Sequence, residues 1–145
     1  VIDGTPVFQS GAILMELAQR FAVLGGDTPE GLRRGREILM WEGNRIGLCL
    51  PQLKEARRIG SGGLPPDVIA WLTARFEVDR NNFDRLLGAA EFLHGAAPGI
   101  GDCAVWGYVQ WLEEAGVTPS DKMRRWGEAM RALPGMKAPE AFFPS

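Results

Sequence analysis

The chain has 145 residues, 46% of them hydrophobic and 23% charged, with a formal net charge of −2. That is room for one well-packed domain, or for one domain with a fragment of another. The near-even charge argues against a nucleic-acid surface, and no apolar run approaches the ~20 residues of a membrane-spanning helix.

Cys49, Cys103 and the single histidine His94 fall short of the roughly four ligands at close spacing that a zinc site takes, so no metal is expected. Two thiols without Cys-x-x-Cys spacing read as the buried, reduced cysteines of a cytoplasmic protein, and the first residues show no signal-peptide pattern.

Val1–Phe8 reads as two short strands about an Asp3-Gly4 turn, with Pro6 marking an edge because it brings no N–H to a ladder. The chain starts on Val1 as if mid-strand, which suggests that further residues belong upstream. From Ser10 the period becomes helical through Ile13, Leu14, Leu17, Ala18, Phe21 and Leu24, with Gly25-Gly26 as the predicted stop. Asp27 and Glu30, at capping-box spacing around Pro29, predict the next start. That helix is expected to run through Trp41 to Ile59, with a kink or break between Gly47 and Pro51, since a proline ring meets the carbonyl four residues back. The arginines at 33, 34 and 36 read as a solvated face.

A loop at 60–66 precedes a long helix predicted from Asp67 to about His94, which places His94 at a helix C-terminus on the surface. Gly95–Gly99 breaks it, and the segment from Cys103 to Leu112 is apolar nearly all round, as suits a central helix. Thr118 and Asp121 have capping-box spacing for a last helix to Leu133, and Phe142 and Phe143 in the tail are expected to pack back. The expected fold is mainly α.

Two separated stretches, DGTPVFQSGAILMELAQRF and AAPGIGDCAVWGYVQWL, resemble the glutathione transferase superfamily. The first is similar to the end of its thioredoxin-like domain, the second to the central helix of its C-terminal helical domain. The resemblance implies residues 1–25 as the end of a thioredoxin-like domain (a β-hairpin and a helix) and 26–145 as an all-helical bundle. It also implies that the strand-helix-strand unit bearing the catalytic Tyr, Ser or Cys is outside the chain, so the catalytic residue is unknown.

Gln9 and Ser10 match the pair that holds the γ-glutamyl end of glutathione in the family. Helix N-termini favour carboxylates, since their first N–H groups are free and carry partial positive charge. Ser10 capping its own helix is the other reading, and the two are compatible. Asp102, at the third position of the central helix, reads as a structural cap that reaches back to the backbone at Gly99.

The resemblance further implies an acceptor pocket between the domains, for which Trp41, Asn44, Arg45, Leu48 and Cys49 are the candidates. It implies glutathione as co-substrate, a small electrophilic molecule as its partner, and a homodimer. The alternative function is a non-catalytic interaction or assembly module of the same fold.

Overall fold

The computed structural model describes residues 1–60, 63–137 and 141. The fold is mainly helical, with seven helices in chain order: α1 (Ser10–Phe21), α2 (Pro29–Asn44), α3 (Ile46–Ile59), α4 (Pro66–Leu87), α5 (Ile100–Val109), α6 (Leu112–Ala115) and α7 (Asp121–Arg131). Phe142 and Phe143, and Ser61 and Gly62 of the predicted loop, lie outside the described residues.

The first eight residues form the turn but not the strands. Asp3 and Gly4 both have positive φ (50° and 81°), as a tight hairpin turn requires, and Ile2 and Thr5 exchange two backbone hydrogen bonds of 2.9 Å. Pairing stops at that single bridge, and no sheet exists among the described residues. Pro6 offers no N–H to continue it, and a lone two-stranded ribbon is marginal without a third strand. Arg20 reaches back from α1 to grip the Asp3 carboxylate with both guanidinium nitrogens.

Helix boundaries depart from their sequence signals in a consistent way. α1 ends at Phe21 with Ala22 in the left-handed conformation (φ 50°), three residues before Gly25. Thr28, not Asp27, caps α2: it sits extended before Pro29 and accepts from Gly31 N–H at 3.0 Å. Ser120, not Thr118, caps α7 by accepting from Met123 N–H at 3.0 Å, and α7 stops at Arg131, two residues before Leu133. At α2 the proline follows the cap, so it holds Thr28 extended and itself takes the first helical position.

The break in the 29–59 segment falls at Arg45 (φ −123°, ψ −89°), ahead of the predicted 47–51 interval, and α3 is helical straight through Pro51. Gly47, whose carbonyl Pro51 would strike, lies in the first turn of α3. α4 stops at Leu87, with Gly88 (φ 61°) as its terminator, not near His94. The predicted central helix divides at Gln110-Trp111 into α5 and α6. α5 nevertheless touches α1, α2, α3 and α7, as its all-round apolar sequence requires.

The main core gathers Ile38, Leu50, Phe76, Phe83, Val105 and Trp126 from α2 to α5 and α7. The Trp126 ring meets Phe83 and Trp106 edge to face at 5.1 and 6.0 Å. A second, small cluster of Ala18, Leu39 and Ile100, flanked by Leu14 and Met15, seats α1 against α2 and α5. No helix among the described residues is long and apolar enough to cross a membrane.

Candidate functional site

The start of α1 differs from those of α2 and α7, where Thr28 and Ser120 accept from first-turn N–H groups. Gln9 is its N-cap residue with φ 70°, a conformation that a residue with a Cβ seldom adopts, and it makes no side-chain cap. Ser10 is the first helical residue, so the expectation that it caps its own helix does not hold: its hydroxyl accepts from no first-turn N–H. The first helical bond runs from Ile13 N–H to Gln9 O at 3.0 Å, which leaves the N–H groups of Ser10, Gly11 and Ala12 ahead of the ladder. Both Gln9 and Ser10 are exposed. Strain of this kind at a loop-to-helix junction is concentrated at ligand-holding positions.

Beside Ser10 opens a concavity of about 440 Å³ between α1, α2 and α5, continuing to Trp111. Ile13 and Leu14 form one wall, Cys103, Ala104, Gly107 and Tyr108 the other, and Glu42 lines it from α2. Glu42 is only 6% exposed, and its Oε1 has no hydrogen-bond partner among the described residues. Burial raises its pKa to about 7. A Cβ at Gly47 would stand 2.6 Å from that oxygen and 3.2 Å from Tyr108 Cζ, so the glycine lets the carboxyl and the ring close over α3. Burial also pushes the Cys103 thiol and the Tyr108 phenol up, Tyr108 with a further push from Glu42, so neither is an activated nucleophile.

The five acceptor-pocket candidates are not brought together in this concavity. Trp41 is half-buried against the main core, its indole Nε1 buried without a partner among the described residues. Asn44 is exposed and donates to Met40 O at 2.8 Å. Arg45 donates from Nε to the fully buried Asp79 at 2.6 Å, which pins the α2–α3 break to α4. Leu48 is 38% exposed, and Cys49 is fully buried in the core, where its thiol is held in the neutral form first by burial and then by Asp79.

Asp102 is fully buried and accepts three hydrogen bonds: from Gly99 N–H at 2.9 Å, Leu93 N–H at 2.7 Å and Trp126 Nε1 at 2.8 Å. The first closes the N-terminus of α5, while the others tie the α4–α5 connection and α7 to it. His94 is not the surface helix end that its sequence position suggested. It lies half-buried in that connection, against Gly25, Gly35 and Gly99, and its Nε2 accepts from Gly101 N–H at 3.3 Å. Arg34, read as part of a solvated face, instead donates to Leu93 O at 3.0 Å and Leu86 O at 2.9 Å.

Glu42 is the residue that sequence reasoning passed over. It sits between Trp41 and Gly43 with nothing local to mark it as buried; the nearest signal was the glycine five positions on. Comparison with models of known protein families and with curated proteins found no match for this chain.

Proposed function

We propose that the chain is the C-terminal part of a glutathione-dependent transferase, with residues 1–25 ending a thioredoxin-like domain and 26–145 forming a glutathione-transferase-like helical domain. The observation that carries this is the Gln9-Ser10 junction: a strained glutamine and an uncommitted serine at a helix start whose first N–H groups are free. These groups suit the carboxylate and ammonium of a γ-glutamyl end. Ser10 donates a hydroxyl, the Gln9 amide offers both a donor and an acceptor, and the helix terminus supplies partial positive charge.

A small electrophile would meet the glutathione sulfur where the helical domain adjoins the thioredoxin-like one. Hydrogen bonding to the thiolate, from a residue outside this chain, would make it available near neutral pH. Val1, Phe8, Phe21 and Val23 are exposed apolar side chains that the rest of a thioredoxin-like domain would cover. The protein is then a cytoplasmic, metal-free homodimer.

The test is a calorimetric titration of glutathione into the full-length protein beside its Ser10→Ala variant. Saturable binding that weakens by roughly 1–3 kcal/mol in the variant supports the glutathione site, since that is the size of a hydrogen bond to a charged group. No binding to folded protein overturns it and leaves those exposed apolar side chains to a non-catalytic interaction module.

A further inference from the structure

Within the concavity between α1, α2 and α5, charge and shape are unequally shared. Among the described residues Glu42 is its one charged lining residue, and it is nine-tenths buried with an oxygen that none of them satisfies. The nearby cations are engaged elsewhere: Arg45 pairs with Asp79, and Lys54 of α3 stands 3.9 Å from the centre of the Trp111 ring. The remaining walls are Ile13, Leu14, Ala104 and the rings of Tyr108 and Trp111. A buried carboxyl without a partner is costly, and such groups are retained where something compensates them.

We propose that this concavity is a binding site for a small amine with an apolar body, whose ammonium pairs with the Glu42 carboxylate. The pairing gives the carboxylate, whose Oε1 is itself closed off beside Gly47, a cation and a hydrogen-bond donor together, a charge-assisted contact that an uncharged alcohol only half reproduces. The Tyr108 ring and the aliphatic wall of Ile13, Leu14 and Ala104 take the apolar body. An anion is repelled by the same carboxylate. The volume, about 440 Å³, lies in the range of small-molecule sites, roughly 300–1,000 Å³. The other titratable groups that face this space, the Cys103 thiol and Tyr108 phenol of α5, are both pushed up by burial and stay neutral where Glu42 is ionised. α1 contributes no titratable group to it.

The proposal goes beyond the glutathione reading and does not need it, because the probe is added without glutathione. 2-Phenylethylamine is titrated at pH 8 into the chain by calorimetry, with 2-phenylethanol as its uncharged counterpart and with the Glu42→Gln and Ala104→Trp variants. The expected result is saturable binding of the amine, with the alcohol at least about tenfold weaker, the amine weakened at least about tenfold by Glu42→Gln, and binding abolished when Ala104→Trp fills the space. Failure of the amine to saturate, equal binding of amine and alcohol, or amine binding untouched by Glu42→Gln overturns it. Should Glu42→Gln fail to fold, the amine–alcohol comparison on the unaltered protein decides alone.

Discussion

Glu42 is buried on α2 with its pKa raised to about 7 from an ordinary 4.5, and the cause is loss of solvent around the charged form. In the unfolded chain its proton leaves near 4.5. Between the two values the folded chain holds more protons, so stability falls as pH rises from 4.5 through about 7. His94 works the other way. Burial lowers its pKa below 6.5, with Arg34 adding to the effect and Asp102 opposing it, and its Nε2 must be unprotonated to accept from Gly101 N–H. The unfolded histidine therefore binds protons first, and stability falls as pH drops below 6.5. Glu42→Gln should remove the alkaline-side decline and keep the acid-side one. Urea midpoints from pH 5 to pH 8 should show the variant gaining on the parent protein as pH rises. Parallel curves for the two would mean that the Glu42 carboxyl is not desolvated as its burial implies.

At the scale of elements, α2 and α5 approach through reciprocal glycines. A Cβ on Gly35 would lie 2.6 Å from Ile100 Cγ1, and one on Gly101 would lie 2.7 Å from Ile38 Cβ. Gly43, on the exposed side of α2, has nothing within 4 Å of where its Cβ would be. Gly101→Ala should therefore destabilise by about 1–3 kcal/mol through overpacking. Gly43→Ala should stabilise by roughly 0.5–1 kcal/mol through helix propensity alone. Chemical denaturation of the two variants separates these effects by sign, and a neutral Gly101→Ala would show that the helix pair is free to separate.

The same element scale shows what could be read from the chain. Apolar periodicity places the helices, because which face is buried is written in the spacing itself. The break at Arg45 was not legible, because its anchor, Asp79, comes from 34 residues away on α4. Proline at 51 pointed to the wrong turn, since the carbonyl it would strike lies in the first turn of α3, just past the break at Arg45. Gln9-Ser10 was legible as a helix start because the period changes there, whereas Glu42 became part of a concavity only when Gly47 and α5 closed around it.

For the whole molecule, the main core contains no side chain from residues 1–25. That segment is attached by Ala18, Leu14 and Met15 on Leu39 and Ile100, and by the 3.1 Å hydrogen bond from Ile100 N–H to Leu24 O. Its removal newly exposes Leu39 and Ile100, a loss of about 1.5–3 kcal/mol for each side chain. A domain commonly has about 5–15 kcal/mol in hand, so a chain of residues 26–145 should still fold, with lowered stability and a single cooperative transition. Residues 1–25 alone should not, because one turn and one 12-residue helix lack both the length and the covered face to hold a helix in water. Circular dichroism melts of the two pieces, with the dispersion of amide proton signals from the longer one, give the comparison. A sharp melt and dispersed signals for 26–145 would establish the helical bundle as an independent unit on which the segment bearing Gln9 and Ser10 is mounted. A broad, non-cooperative melt would make α1 a structural member of one indivisible core, and the boundary near Gly25 would then have no physical meaning.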